Sequence, residues 1–324
     1  METPLPVVVF GLGPIGRRIA AAAHRDALLE VVGAVDIAPD IVGQTLADLE
    51  PGMPPVAITA VLAEALEGTA DERLTVLHAT GSYLGGMEDE FHGLLDASVH
   101  IVSTCEELSY PFVRHPDISQ RLDEHARAAG KTLVGTGINP GFLMDQLPVT
   151  LTGASHAIRS VRVVRMQNPR RRRIPFQRKV GCDIARAEYD ERAAGGGFGH
   201  VGLIESGRLI AAGLGWSVDN WSDTLEPVQP DPAGPVRGTK QVLQGSTADG
   251  RSISLHFEAQ SGVEEEYDEI VVEGTPPLHL RFLGGVFGDD GTAARRTAAA
   301  RVTPSAPRGL VTVLDLPLRA RPLR

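Results

Sequence analysis

Val7-Val8-Val9-Phe10-Gly11-Leu12-Gly13-Pro14-Ile15-Gly16-Arg17-Arg18-Ile19-Ala20 reads as a strand, a glycine turn and the start of a helix. Val7 to Phe10 are apolar and mostly β-branched, the character of a parallel strand buried on both faces. The glycines follow at G-x-G-x-x-G spacing. Gly11 permits a tight turn, Gly13 lacks the Cβ that would keep a pyrophosphate from the backbone, and Gly16 lets the helix lie close to the strand. The free N–H groups and the positive dipole end of that helix would face phosphates. A strand before the motif and a helix after it separate a dinucleotide loop from a merely structural glycine turn. Gly11, Leu12, Gly13, Pro14 and Ile15 are therefore expected to hold a dinucleotide.

The Ala-rich helix is expected from Pro14 to about Leu28. Leu29 to Val35 then form a second strand with Asp36 at its carboxyl end, about 20 residues past Gly16, where an acid binds the adenosine ribose hydroxyls. A strand-end acid capping a turn is the plainer alternative. As a ribose ligand Asp36 would oppose a 2′-phosphate, since two like charges ~4 Å apart repel by at most roughly 4 kcal/mol at an effective dielectric near 20. NAD is thus expected over NADP, with NADP use left open. Residues 39–72 are polar and contain prolines, as in a third βα unit. Leu74 to His78 form the next strand, and Ala79, Thr80 and Gly81 at its end should lie under the cofactor. His78 itself reads as a packed strand residue.

A helix is expected from about Met87 to Leu95. After it, the strand Val99 to Cys105 ends in Thr104 and Cys105 and runs into Glu106-Glu107. Two carboxylates at such a strand end are either functional loop residues or solvated acids at a helix start, which the dipole favours. A helix to Ala129 with Gly130 after it, and a strand from Lys131, lead to Asn139-Pro140-Gly141. That turn should close the nucleotide domain, with Asn139, Pro140 and Gly141 near the nicotinamide or its ribose.

The pattern changes after about residue 158. Alternation around Val161 and Val163 marks a half-buried strand, and hairpin signals lie at Asp249-Gly250 and Gly274-Thr275-Pro276-Pro277. Helices are expected around Asp183 to Ala193 and Val201 to Leu214, with the Gly-rich turn Gly195 to His200 between them and a loop from Leu225 to Pro235. From about Thr292 an Ala-rich helix returns. The chain is thus α/β, with an N-terminal Rossmann dinucleotide-binding domain and an α+β domain carrying an open mixed or antiparallel sheet. The first is expected over 1–140 and 293–324, and the second, for substrate binding and dimerisation, over 141–292.

The 324 residues are 42% hydrophobic, enough for two cores, and the formal net charge is −10. That balance disfavours nucleic acid and anionic membranes as partners. The run Arg170 to Arg173 goes against it and reads as a solvated loop; a lid or cofactor-phosphate contact and a dimer-interface ion pair are the sharper alternatives. Two distant cysteines, Cys105 and Cys182, suggest reduced thiols, and a cytoplasmic location is expected in the absence of a signal-like or membrane-spanning stretch. Cys and His spacing offers no metal site.

Several stretches together resemble the dihydrodipicolinate reductase-like superfamily: Gly11 to Gly16, Asn139-Pro140-Gly141-Phe142-Leu143-Met144-Asp145, the inserted sheet domain and the C-terminal return. Within it, Cys105-Glu106-Glu107-Leu108-Ser109-Tyr110-Pro111 and Arg173 to Gly181 resemble 2,4-diaminopentanoate dehydrogenase and the related amine dehydrogenases. Dihydrodipicolinate reductase itself is disfavoured, because its His-His-x-x-Lys and Lys-x-Asp-x-Pro-Ser-Gly-Thr stretches have no counterpart. The resemblance implies reversible oxidative deamination with NAD(P), giving ammonia and a ketone or aldehyde. It also implies a homodimer, and a glutamate serving imine chemistry: Glu106 by its position, Glu107 as second choice. Phe142, Met144, Phe176 and Tyr189 are candidates for a substrate pocket, each equally readable as core. An imine or ketone reductase that uses no free ammonia, and a non-catalytic NAD-binding protein, remain open at this point.

Overall fold

The computed structural model describes residues 3–195 and 198–318; Gly196 and Gly197 of the expected glycine-rich turn lie outside the described residues. The chain divides into two compact units, one of residues up to Ile138 together with those from Asp289 onward, the other Asn139–Gly288.

The first unit is a seven-stranded sheet built in chain order from β1 (Leu5–Phe10), α1 (Pro14–His24), β2 (Leu29–Val35), α2 (Leu46–Leu49), β3 (Ile58–Thr59), α3 (Leu62–Ala65), β4 (Thr75–His78), α4 (Glu88–Asp96), β5 (His100–Ser103), α5 (Pro116–Ala128) and β6 (Thr132–Gly135). The third βα unit expected over 39–72 shrinks to a two-residue strand and two single-turn helices. The sheet order is completed by a late strand, β13 (Gly309–Val311), and runs β13-β6-β5-β4-β1-β2-β3, all parallel. Chain order reverses between β1 and β4, the switch point at which open α/β sheets bind ligands. Val8, Val76, Ile101 and Leu133 from the sheet pack with Phe91, Leu94 and Leu95 of α4 and with Leu122 and Ala126 of α5. α1 buries Gly16, Ile19, Ala20 and Ala23, the one-face spacing of an amphipathic helix. It ends at His24 rather than near Leu28.

The second unit carries α6 (Gln146–Thr152), β7 (His156–Gln167), α7 (Ile174–Lys179), α8 (Arg186–Ala194), α9 (Leu203–Leu214), β8 (Asn220–Val228), β9 (Gly238–Ser246), β10 (Ser252–Gln260), β11 (Tyr267–Thr275) and β12 (Leu278–Leu283). Its sheet order is β12-β11-β7-β10-β9-β8. Only β7 and β10 run parallel; the other pairs are antiparallel, so the sheet is mixed. On β10, Ile253, Leu255, Phe257 and Ala259 are buried, while Ser252, Ser254, His256 and Glu258 are half-buried on the opposite face. α6 and α9 pack on the sheet. Arg165 and Asp268 face each other across β7 and β11 and form an ion pair of 2.7 Å with both side chains under 5% exposed; burial raises the Asp268 carboxyl against the pull of Arg165.

Two expectations change here. Leu225 to Val228, expected as loop, complete β8, an edge strand in which Pro227 is tolerated because it has no ladder on its outer side to serve. The returning helix α10 (Gly288–Ala300) begins about a turn before Thr292, so the first unit resumes at Asp289. No helix among the described residues is long and apolar enough to cross a membrane.

Candidate active site

In the first unit, hydrogen bonds stitch the strand exits together. Gly11 N donates to Val35 O, Ala79 N to Phe10 O, Thr104 N to His78 O and Thr136 N to Ser103 O, all at 2.7–3.0 Å. The result is one row of loops along the carboxyl ends of β2, β1, β4, β5 and β6. Gly11 has φ +91°. A Cβ on Gly16 would strike the Gly11 carbonyl, whereas a Cβ on Gly13 would meet nothing within 4 Å. The start of α1 has no side-chain cap, so its first-turn donors stay available to an anion. Asp36 accepts from Leu12 N at 2.5 Å and from Ala38 N at 2.9 Å, which brings its carboxylate onto the glycine loop. Open space at Gly13, an uncapped helix start and an acid on the loop together fit a dinucleotide.

The β4 exit is held by a buried polar network. His78, wholly buried, is 2.8 Å from Ser103 Oγ through Nδ1 and 2.5 Å from Glu90 Oε1 through Nε2. Thr80 Oγ1 donates to Glu90 at 2.6 Å and lies 2.8 Å from His78 Nε2. Burial pulls the His78 imidazole below its ordinary value and the charge of Arg296 adds to this, while Glu90 opposes both. These partners assign the proton of a neutral ring to Nε2. His78 thus sits where a packed strand residue was expected, and it also fixes Thr80. Arg296 of α10, fully buried, donates through Nη2 to His78 O and Val102 O. Its Nε and Nη1 have no hydrogen-bond partner among the described residues.

After β5, the two acids part company. Glu107 is 4% exposed. It accepts from Leu84 N at 2.8 Å, Arg114 Nη1 at 2.7 Å and His115 Nε2 at 2.8 Å. Burial works to raise its carboxyl, but those donors outweigh it and hold the group below its ordinary range. Glu106 is half-buried and opens a 3-10 turn over Glu107–Ser109. Its backbone carbonyl accepts from Ser109 Oγ at 2.8 Å. This turn lies hard against β6: a Cβ on Gly135 would come within 2.5 Å of the Leu108 carbonyl carbon. Cys105 is buried, its thiol pushed up to about 12 by burial, with the charges of Glu106 and Glu107 adding to the shift. It is not a nucleophile at neutral pH.

In the second unit, Asn139 precedes a cis peptide to Pro140. Its Nδ2 donates to His200 Nε2, and its Oδ1 is buried without a hydrogen-bond partner among the described residues. His200 stacks on Phe257 with centroids 4.6 Å apart. Burial, then the charges of Lys179, Arg165 and Arg172, keep this imidazole well below its ordinary value. Gly141 N donates to Asp145 Oδ2 at 2.7 Å, and Ser206 Oγ of α9 donates to the same oxygen at 2.8 Å. Of the pocket candidates, Phe142 is half-buried, and Phe176 is 8% exposed beneath the Arg172 guanidinium at 4.2 Å. Met144 and Tyr189 fill the interior, the Tyr189 hydroxyl 2.7 Å from Thr239 Oγ1. The arginine run is paired: Arg170 with Asp183 at 2.7 Å, Arg171 with Glu266 at 2.6 Å and Arg172 with Gln167 at 2.7 Å. The described residues contain no group of three or more His, Cys, Asp or Glu placed to hold a metal.

A sequence model of the 2,4-diaminopentanoate dehydrogenase C-terminal domain matches residues 142–322. The chain belongs to this family. The 2,4-diaminopentanoate dehydrogenase of Acetoanaerobium sticklandii is 25% identical over 332 residues, covering 96% of this chain and 93% of that protein. The structure of an amine dehydrogenase from Mycobacterium smegmatis superposes with a TM-score of 0.84 at 25% identity, over 100% of this chain and 98% of that one. The Lactobacillus casei scyllo-inositol dehydrogenase with bound NAD(H) and scyllo-inositol, 13% identical, shares the fold with a TM-score of 0.59 over 92% of this chain and 87% of that one.

For this diaminopentanoate dehydrogenase family member, the strand-exit loops are legible from their place in the sequence, whereas the buried partnerships of His200 and Arg296 are not. Asp145 closes the quoted Asn139 to Asp145 stretch and was legible there as a turn-capping acid. Arg296 follows Arg295 in the Ala-rich helix, where arginine ordinarily faces solvent.

Proposed function

We propose that the chain is an NAD(P)-dependent amine dehydrogenase that interconverts an amine with a ketone or aldehyde plus ammonia, with Glu106 as its acid–base residue. What carries this reading is the joining, in one chain, of the family's C-terminal domain to a dinucleotide-binding sheet whose β5 exit bears a half-buried glutamate. When bound, the nicotinamide accepts hydride from the amine carbon, or returns it to the imine carbon in reverse. The chain's residues do the rest. The glycine loop and the start of α1 bind the pyrophosphate, and Asp36 takes the adenosine ribose hydroxyls, favouring NAD over NADP. The Glu106 carboxylate takes a proton from the substrate ammonium and passes it to solvent; ionised again, it offsets the iminium charge and takes a proton from the water that adds to the imine carbon. Glu106 hands that proton to the nitrogen, and cleavage of the carbon–nitrogen bond, with loss of the hydroxyl proton to form the carbonyl, releases ammonia. Glu107, committed to Arg114 and His115, supports the turn. Ala79, Thr80, Gly81, Thr104 and Cys105 line the cofactor's path. A second copy of the chain covers the polar face of the mixed sheet.

The test is a spectrophotometric screen. NADH oxidation is followed with a ketone and aldehyde panel with and without ammonium, and NAD+ reduction with amines and diamino acids at alkaline pH. Ammonium-dependent NADH oxidation by wild type, abolished in Glu106→Gln with NADH binding intact, is expected. Turnover indifferent to ammonium would make the chain an imine or ketone reductase instead.

A further inference from the structure

Arg296 is the one arginine of α10 whose side chain ends wholly inside the protein. Its Nη2 donates to His78 O at 2.6 Å and to Val102 O, so the guanidinium sits at the carboxyl ends of β4 and β5. Those carbonyls carry no net charge to offset it. The described residues give it no ion-pair partner: burial alone acts on it, drawing it well below its ordinary value, and Nε and Nη1 lack hydrogen-bond partners. Glu90, the carboxylate of the β4 network, is engaged by His78 and Thr80 instead. A guanidinium keeps its proton in proteins, so a whole positive charge is held here without a counter-charge. Burying an unpaired ion is strongly unfavourable, and an apolar side chain of similar length would fill the space without that penalty.

The backbone that Arg296 holds is the backbone on which the glycine loop rests. Ala79, the residue after His78, donates from N to Phe10 O at 2.7 Å. A Cβ on Gly11 would come within 2.8 Å of the Ala79 carbonyl oxygen, and one on Gly16 within 3.8 Å of the Ala79 methyl. The loop leaves open space at Gly13 and uncapped N–H donors at the start of α1, which suit a pyrophosphate. Arg17 also reaches this loop, its Nε donating to Leu12 O at 2.9 Å, but Arg17 is exposed and water and salt screen its charge. A charge with no surface in water is screened far less and acts beyond contact distance.

We propose that Arg296 is a buried electrostatic residue of the dinucleotide site: its charge, unpaired within the chain, is balanced by the cofactor's pyrophosphate and strengthens binding of diphosphate-bearing ligands without touching them. This rests on the dinucleotide site assigned above.

The experiment compares ADP-ribose, which carries the diphosphate, with adenosine, which does not. Both dissociation constants are measured by calorimetry or competition in wild type, Arg296→Met and Arg296→Lys. In Arg296→Met the ADP-ribose constant should rise about tenfold or more, and the adenosine constant should change less than about twofold. The ligand-free thermal midpoint should stay at or above that of wild type, because an unpaired buried charge is removed and His78 O keeps Thr104 N as a donor. Arg296→Lys restores the charge when protonated. It should bind ADP-ribose more tightly than Arg296→Met, the more so toward about pH 6, because burial lowers a lysine's pKa. Equal losses for ADP-ribose and adenosine, unaltered ADP-ribose affinity in Arg296→Met, or Arg296→Lys no better than Arg296→Met at about pH 6 overturns the proposal. A markedly lower ligand-free midpoint in Arg296→Met overturns it too, since the guanidinium would then serve the fold. Absence of ADP-ribose binding by wild type instead removes the dinucleotide site itself.

Discussion

Gly13 and Gly16 stand three residues apart, and the structure separates their duties sharply enough to predict opposite phenotypes. An alanine Cβ at position 16 falls inside the van der Waals envelope of the Gly11 carbonyl, with the next backbone atom, the Gly11 carbonyl carbon, at 2.8 Å. Backbone cannot swing aside as a side chain can, so the glycine loop or α1 must shift. Overpacking of this kind costs about 1–3 kcal/mol, and at ~2–4 °C per kcal/mol for a unit of this size the midpoint should fall by roughly 2–12 °C. At position 13 the backbone has φ −61° and ψ −179°, which alanine adopts freely, and no atom lies within 4 Å of the added carbon. Gly13→Ala should therefore leave the ligand-free midpoint within about 2 °C of wild type. The methyl would nevertheless stand where the pyrophosphate must approach. If the same ~1–3 kcal/mol is then felt only on binding, the NADH dissociation constant rises about 5- to 150-fold. Differential scanning fluorimetry without ligand and calorimetric titration with NADH read the two effects separately. A marked fall in the ligand-free midpoint of Gly13→Ala, or unaltered NADH affinity in it, would refute the assignment of that space to the phosphates.

Asp36→Ser should lower the ratio of the NADPH to the NADH dissociation constant at least tenfold, a shift of about 1.4 kcal/mol, since a like charge facing a 2′-phosphate is removed; competitive titration with both cofactors checks it, and an unchanged ratio would place the ribose elsewhere. Glu107 is held below its ordinary carboxyl value in the folded chain, so its contribution is present above about pH 4.5, the ordinary value, and is lost as pH falls through the lower folded value. Because the Arg114 side chain is 41% exposed, Glu107→Gln should cost about 1–3 kcal/mol at pH 7, less than a fully buried pair. The deficit should shrink toward pH 4, as urea melts at the two pH values would show; a deficit that grows on acidification contradicts the ion-pair assignment.

Much of this architecture was legible because its causes are local. The run Val7 to Val9 could only be a strand buried on both faces, and the glycines after it constrain the turn by sterics alone. The hairpin at Asp249-Gly250 follows from Gly250 at φ +86°. Position on the strand ends placed Asp36, Thr80 and Glu106 in the right loops. It did not distinguish Glu106 from Glu107, because that depends on partners 7 and 8 residues further on, Arg114 and His115, which no short-range pattern announces. Pro227 within β8 misled for a related reason: proline argues against a strand unless the strand is known to be an edge, and edge position belongs to the assembled sheet. His200 owes its neutral state to burial and to Lys179, Arg165 and Arg172, contributions from separate segments. Arg296 is the strongest case, a charged side chain in an Ala-rich helix that finishes fully buried.

The late strand β13 bears on how the protein is made. The first unit lacks its sheet edge until Gly309 to Val311 pair with β6, and Thr132 Oγ1 waits for Pro307 O as its acceptor. Nearly all of the chain must therefore leave the ribosome before that unit can close, whereas Asn139–Gly288 is continuous and is complete earlier. The inserted unit is thus positioned to fold during translation, while the dinucleotide-binding unit matures last. Shortening the chain from its carboxyl end should accordingly abolish cofactor binding before it disturbs the mixed sheet, although the glycine loop that binds the cofactor stands at the opposite end of the sequence.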